Sequence, residues 1–517
     1  MTTPRRWWLP PAYFLAVWLL LSIGGRSSFF RDPGTFWHTV VGDKILRDGF
    51  FDRDPFTFTF HGAKWIPHQW LGEVGMAGVH RLAGLDGLLT AATALLAGLY
   101  AVIAVRLTRT GLHPAAVVVV LGLVVAASTS HFHVRPHLIT IVGVGVTMML
   151  LVDVDSGRAP VGRLLGLVPL YLIWANTHGG LLGGLTTLGL AGAGWAMERI
   201  VRRPGPLATY RDWRMLAAAG VGCAAVAVVT PYGADIARTW LAIMDMKSLP
   251  DIIREHARTD FRDPTAWPVA ALGVGYLALL AGVPIGRWRV TWLLPLFWLL
   301  QAGLRVRHAP LFAAAAGVAV ADLWPHTRWA AALARRRPDF YAPQGGSDAG
   351  WTRRGLLLGV APVLAALVLQ AAEVRVPVVG AGWARLDPAA WPIDLEPVLA
   401  AFEPPPDRPA RVFNDYADGG YLIYHHPGYR VFVDDRCELF GDAWLVAFVR
   451  AAESPDPTPV LAAWQAEYGD FDFALTRAGT PFDGHFAARP GAWQLLGASP
   501  TASFYRRAGV VGRPGGR

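Results

Sequence analysis

The chain is punctuated by apolar runs that suit a lipid bilayer, at 9–24, 86–105, 115–129, 137–152, 164–176, 180–197, 214–230, 267–284, 290–304, 309–323 and 355–372. A helix needs roughly 17–25 predominantly apolar residues to cross the hydrocarbon, and only helices and closed barrels keep their backbone hydrogen-bonded there. The spacing therefore predicts a polytopic α-helical membrane protein with about eleven spans. The pair of runs meeting at Asn176–Gly180 also reads as one broken helix. Composition agrees, since 53% of the 517 residues are hydrophobic and only 16% are charged. Twenty-two Trp suit a protein with many bilayer interfaces. The +9 formal charge sits in short basic clusters between apolar runs, which membrane topology explains better than nucleic acid does. Cys223 and Cys437 make no disulfide framework or thiolate site. After Arg5 and Arg6, the run from Trp7 to Gly24 lacks a small-x-small cleavage pattern and reads as an uncleaved first span.

Arginines set the expected orientation. With a cytoplasmic N-terminus, the inside segments hold Arg106 and Arg109, Arg158 and Arg163, Arg199 through Arg214, Arg287 and Arg289, then Arg335–Arg337 with Arg353 and Arg354. An odd number of spans places the chain after residue 373 outside a cell membrane. The expected organisation is a transmembrane domain over 1–372 with a long first outside loop at 25–85, a linker at 373–405, and a C-terminal extracytoplasmic α/β domain at 406–517. In the first loop, 39–46 and 69–82 read as amphipathic stretches along the membrane surface. In the last domain, β-rich runs at 411–414, 430–434, 471–476 and 493–496 alternate with helical patterns at 419–425, 441–453 and 459–468. Residues 325–354 read as a basic cytoplasmic linker.

All His but His113 and His326 fall on the outside half, which puts the chemistry at the outer membrane face. Asp32-Pro33-Gly34 follows the first span and leads to His38. A turn-presented aspartate takes a proton from an acceptor hydroxyl or amine, helps hold a divalent metal, or caps the next helix. Asp54 precedes Pro55 and serves as a second carboxylate or as a turn. His68, between Trp65 and Trp70, lines a sugar or headgroup site or belongs to an aromatic belt. Ser130 through His137 carries His131, His133, Arg135 and His137; with no carboxylate nearby in sequence, phosphate binding through Arg135 is favoured over a metal. Asn176 and His178 lie where two apolar runs meet, as a functional polar group or a tight Gly turn. Tyr232 follows the same logic. Arg305, Arg307 and His308 suit a phosphate or pyrophosphate, or snorkel at the interface. In the last domain, Asp434, Asp435, Arg436 and Glu438 end one candidate strand, and the Asn414-Asp415-Tyr416 turn follows another. The expectation is an acceptor surface of Asp415, Tyr416, Asp435 and Arg436 closing over Asp32; the alternative is an internal network in which Arg436 joins Asp415 to Asp434.

Together these segments resemble the GT-C superfamily of integral-membrane glycosyltransferases, which use polyprenyl-phosphate or polyprenyl-diphosphate sugars. The resemblance is carried by Asp32-Pro33 through His38, Asp54-Pro55-Phe56, His68-Gln69-Trp70, Arg135-Pro136-His137, Asn176 through Gly180, Pro231-Tyr232-Gly233, and Asn414-Asp415-Tyr416 through Leu422. It implies Asp32 as base or metal ligand; the leading expectation makes Asp32 the base of an extracytoplasmic glycosyltransferase, with Asp54 as second carboxylate and Arg135, Arg305 and Arg307 on the phosphate. The Asn414–Tyr421 turn is distantly similar to the Trp-Trp-Asp-Tyr-Gly motif of oligosaccharyltransferase catalytic subunits, although the paired Trp are absent. The expected partners are a polyprenyl-phosphate-linked sugar, an acceptor glycan, lipid or protein, and membrane lipid. A divalent metal, Mg or Mn, is the cofactor the resemblance allows. The competing reading is a non-catalytic transporter or assembly factor for lipid-linked glycans, which should place its charges near mid-span rather than at the outer ends.

Overall fold

The computed structural model describes residues 7–343 and 350–510; Arg5, Arg6 and the middle of the 325–354 segment lie outside them. The chain opens with helices α1 (Leu9–Ser28), α2 (Gly34–Asp48), α3 (Trp70–Arg109), α4 (Pro114–Ala126) and α5 (Leu138–Asp155). Further apolar helices run over Leu167–Thr177, Leu181–Ile200, Trp267–Ala281, Leu294–Leu304, Ala309–Leu323 and Arg353–Ala371. Among the described residues, seven stretches are long and apolar enough to cross a bilayer: Leu9–Ser28, Trp70–Arg109, Pro114–His131, Leu138–Asp155, Pro264–Ala281, Val306–His326 and Arg353–Ala371. The chain is a multi-pass membrane protein; these seven meet the length and apolarity of a span, which does not confirm the expected count of about eleven. Two further apolar helices, over Val161–Thr177 and Val290–Leu304, are shorter.

Helix Ala309–Leu323 is the axis of the bundle. Every residue in it is buried, and its Ala313–Ala316 stretch lets α3, α4, α5 and the helices at 267–281 and 294–304 approach. Peripheral helices instead expose Val118, Val119, Leu357, Leu364 and Val368 outward, as lipid-facing surfaces do. The α3 backbone leaves helical geometry at Ala83 and Gly84, which separates the amphipathic part starting at Trp70 from the apolar span. Residues 325–354 are more than a linker, because helix Arg328–Arg336 folds there.

The C-terminal part is a five-stranded sheet of β1 (Ala410–Asn414), β2 (Tyr429–Val431), β3 (Phe473–Arg477), β4 (Trp493–Ala498) and β5 (Ala502–Arg507), in the order β2-β1-β3-β5-β4. β1 is parallel to β2 and β3, while β5 is antiparallel to β3 and β4. The final hairpin strand, β5, is absent from the sequence reading. The exposed edge of β2 is covered by the first loop: Val431 N donates to Phe56 O at 3.2 Å and Phe58 N to Val431 O at 3.1 Å. Phe36, Trp37, Val41, Ile45 and Trp65 of that loop share one apolar core with Val412, Phe413, Phe432 and Val433. The stretch expected as a linker joins it too, through Trp391, Leu395 and Leu399.

That stretch carries helix Glu396–Phe402, which is held by an ion pair. His426 is 1% exposed, with Nδ1 2.9 Å from Glu403 and Nε2 3.2 Å from Glu396. Burial opposes the imidazolium, but the two carboxylates outweigh it and raise His426 to about 9. The other polar rings facing it are Tyr421, His425 and Tyr429, and burial holds His425 down at about 4. Because the folded value lies above the ordinary 6.5, this stabilisation is complete below about 6.5 and is lost as pH rises through about 9. Thermal unfolding of the full chain in detergent should therefore move to lower temperature across that window, and His426→Gln should flatten the slope. An identical slope in the variant would exclude this ion pair as the source.

Candidate active site

Asp32 sits between α1 and α2 with its side chain 12% exposed. Its Oδ1 accepts from Gly34 N at 2.8 Å, as a helix-start aspartate does. Its second partner is Arg135, whose Nη1 lies 3.0 and 2.9 Å from the two carboxylate oxygens. A Cβ on Gly34 would lie 2.6 Å from Arg135 Nε, so the glycine lets the guanidinium lie across the start of α2. Val134 N donates to Phe29 O at 2.9 Å and fastens the arginine loop to the end of α1. Burial pushes the Asp32 carboxyl up, but Arg135 and His133 outweigh it and hold the group below its usual value.

Imidazoles surround this pair. The His131 and His137 rings are 4.0 Å apart, His133 is 5.9 Å from His131, and His178 is 6.2 Å from His137. His178 Nδ1 is 2.8 Å from Thr140 Oγ1. Burial, reinforced by Arg135, pushes His137 down to about 3 and His178 well below its ordinary value, so both are neutral at physiological pH. His38, wholly buried, lies 2.8 Å from Glu73, and burial with the Arg135 charge depresses it as well. His68 is nearby, with Nε2 3.2 Å from Gln69 Nε2. On the far side, Arg307 Nη1 meets His256 Nε2 at 2.7 Å. His131 Nδ1 faces Glu255 at 3.5 Å. His308 lies beside Trp298, its Nδ1 3.3 Å from Gln301 O. The half-buried Arg305 side chain has no hydrogen-bond or ion-pair partner among the described residues.

The C-terminal part closes the site. Asp435 accepts from the Trp37 indole at 2.6 Å, and it lies in the field of both Arg135 and Asp32. The Tyr416 hydroxyl is buried without a hydrogen-bond partner among the described residues and faces Asp435, Cys437 and Glu438. Two glycines make this closure possible. A Cβ on Gly420 would collide with the Pro33 backbone, and one on Gly419 with that of Val433. The glycine pair in the Asp418–Tyr421 turn thus fits a close approach of two backbones.

The structure therefore brings together Asp32, His38, His68, Arg135, His137, His178, Arg305, Arg307, His308, Tyr416 and Asp435. It does not bring in the other expected residues, and each has a different employment. Asp54 is fully buried, its Oδ1 2.8 Å from Arg436 Nη2. Arg436, also fully buried, bonds Asp434 at 2.8 and 2.6 Å, so neither Asp54 nor Arg436 reaches a substrate. Asp415 spends its carboxylate on Arg477 N at 2.6 Å, so the expected pairing of Arg436 with Asp415 is replaced by one with Asp54. Asn176 accepts from Trp70 Nε1 at 2.7 Å and donates to Leu172 O and Val229 O. Tyr232 donates to Phe51 O at 3.2 Å. These last two anchor loops to the first outside segment.

Several participants escaped sequence reasoning. Trp37 lies within the Asp32–His38 segment that the sequence singles out, but has no role of its own in that reading. Glu73 stands at the end of the segment with His68 without a role, and Glu255 and His256 sit in a stretch where only a mixed acidic and basic composition hints at one. A metal does not fit this arrangement: Arg135 takes both oxygens of Asp32, and among the described residues no group of three or more His, Cys, Asp or Glu is placed to hold one.

No family model matches the chain, and no curated protein matches it in sequence. Solved structures do. The oligosaccharyltransferase of Archaeoglobus fulgidus, tethered with an acceptor peptide containing the NVT sequon, superposes with a TM-score of 0.52 at 11% identity, over 91% of this chain and 69% of that one. ArnT from Cupriavidus metallidurans, bound to undecaprenyl phosphate, gives a TM-score of 0.52 at 15% identity, over 98% of this chain and 99% of that one. The fold is thus GT-C-like, as the sequence motifs implied.

Arg436→Ala should leave Asp54 and Asp434 buried without a counter-charge, at a cost of about 3–5 kcal/mol. Thermal unfolding and limited proteolysis of the full chain should show an early release of the C-terminal part; a variant as stable as the parent would contradict the anchoring role.

Proposed function

We propose that this chain is a glycosyltransferase that moves a sugar from a polyprenyl-phosphate-type carrier to an acceptor on the outer side of a cell membrane. The observation that carries the reading is an ionised Asp32 paired with Arg135, with Arg307 in the field of Arg135, Arg305 and Cys437 where the helical bundle meets the C-terminal part. Three guanidiniums beside neutral imidazoles form an anion receptor, and a lipid phosphate reaches such a seam laterally from the bilayer. The undecaprenyl phosphate bound by ArnT supports the same lipid class here.

In this reading Asp32 takes the proton of the acceptor nucleophile, and the arginines stabilise the charge that builds on the departing phosphate. Arg135 serves both partners: a phosphate that recruits its N–H donors loosens its hold on Asp32 and makes the carboxylate a better base. The outward orientation is supported by α5. Its N-terminal end meets Arg135 and His137, while its C-terminal end carries Asp153, which is paired with Arg106 and Arg158 of the basic segments.

Three outcomes test the reading. Asp32→Asn should lower transfer by about 10²- to 10⁴-fold in a chain that still folds and inserts; normal turnover with early melting would make Asp32 a structural residue. Arg305→Ala and Arg307→Ala should each weaken retention of undecaprenyl phosphate in native mass spectra by roughly ten- to a hundredfold. Reporter fusions after Arg337 and after Arg507 should report opposite compartments, and a shared compartment would sink the orientation.

A further inference from the structure

Two carboxyls face the Arg135 guanidinium from different parts of the chain, and only one is paired. Asp32 takes both Nη1 contacts, at 3.0 and 2.9 Å. Asp435, carried by the C-terminal part, makes no ion pair among the described residues, and its donor is the Trp37 indole at 2.6 Å. Its neighbours are provided for: Asp434 and Asp54 share Arg436, and Glu438 accepts from the Trp65 indole at 2.8 Å. The groups facing Asp435 are Arg135, Asp32, Asp434 and Trp37, with the unpartnered hydroxyl of Tyr416 beside them. The next residues of the same loop turn toward the phosphate side, where Cys437 lies in the field of Glu255 and Arg307. Burial, with the charge of Asp32, pushes Asp435 up to about 8, whereas Asp32 is held low. Neighbouring titratable groups driven apart in this way divide naturally into an acid and a base.

We propose that Asp435 is the general acid of the site, a carboxyl supplied by the C-terminal part that gives its proton to the phosphate oxygen leaving the sugar. The proposal rests on the glycosyl-transfer reading above. As the acceptor oxygen bonds to the anomeric carbon, the bond from that carbon to the phosphate oxygen breaks, and its electron pair stays on the phosphate oxygen. The acceptor proton goes to the Asp32 carboxylate, and the phosphate oxygen takes the Asp435 proton. Asp32 ends protonated and Asp435 ionised, both facing Arg135, and proton exchange between them restores the starting state. Without its C-terminal part the bundle would hold a base and a phosphate receptor but no acid.

Dicyclohexylcarbodiimide adds to protonated carboxyls in apolar surroundings and reads this arrangement directly. In the full chain in nanodiscs at pH 7, mass mapping should find the adduct on Asp435 and not on Asp32. The labelling rate should fall about tenfold per pH unit above about 8, and added undecaprenyl phosphate should protect. Asp435→Asn, which keeps an acceptor for Trp37, should remove the adduct while leaving the melting temperature unchanged. An adduct on Asp32 instead, or none on Asp435 at pH 7 in a chain that labels there at pH 5, overturns the assignment. Lipid binding is read separately by native mass spectrometry. A chain that binds undecaprenyl phosphate yet leaves Asp435 unprotected retires the acid and leaves the transfer reading standing. A chain that labels at Asp435 but binds no lipid retires the transfer reading, and the acid with it.

Discussion

One buried guanidinium holds the two parts of this molecule in register. Arg436 lies at the end of the strand-like Val431–Asp434 run, bonded to Asp434 of its own segment and to Asp54 of the first loop, with all three side chains fully buried. Aromatic faces complete its surroundings, Trp65 at 4.5 Å and Phe56 at 5.2 Å from the guanidinium carbon. Removing charges from water costs several kcal/mol per ion, and such clusters are therefore better understood as devices of geometry than as sources of stability. Here the geometry has a clear beneficiary. An apolar staple would tolerate sliding, whereas a fork with fixed bond directions determines where the next residue, Asp435, meets Trp37.

The first outside segment is consequently a platform more than a loop. It lends an extended stretch to the β2 edge, several aromatics to the C-terminal core, and α2 to the floor of the site. Glycines mark the tightest joints: a Cβ on Gly42 would collide with the Glu73 backbone, as one on Gly420 would with Pro33. Such close backbone contacts leave little freedom for the C-terminal part to rock against the bundle. On the bundle side, Arg305 and Arg307 sit on the short turn before helix Ala309–Leu323.

The legible part of this structure is what local chemistry determines. Apolar runs announced the helices, and Asp32-Pro33-Gly34 announced a presented carboxylate, because turn formation and burial need no distant partner. Arg135 was legible for a related reason, as a lone guanidinium among imidazoles with no local carboxylate. Illegible were the choices that depend on the tertiary fold. Asp54 reads as a turn or a second catalytic carboxylate until its partner is known, and that partner lies at the other end of the chain. The sequence reading placed Arg436 in an ion-pair network but named Asp415 where the fold supplies Asp54. The span count stays open for a similar reason, since a helix as short as Leu294–Leu304 is apolar yet falls below the length of an ordinary span.

The backbone itself reinforces the charge pattern that the side chains establish. Helix α5, helix Leu181–Ile200 and helix Ala309–Leu323 all begin at the site, next to His137, Gly180 and His308 respectively. Their N-terminal ends carry partial positive charge, which adds to Arg135, Arg305 and Arg307 and opposes protonation of the intervening histidines. The backbone thus reinforces the field of the arginines, which together with burial keeps these imidazoles neutral. At the opposite end of α5 the dipole reverses, and Asp153 and Asp155 sit where negative charge is disfavoured. There Arg106 and Arg158 neutralise the first, while Thr291 and Trp195 donate hydrogen bonds to the second. Counter-charges therefore neutralise Asp153 at that end of α5, while at the end next to Arg135 the Arg305 side chain has no hydrogen-bond or ion-pair partner among the described residues, and the two ends of the bundle differ in charge accordingly.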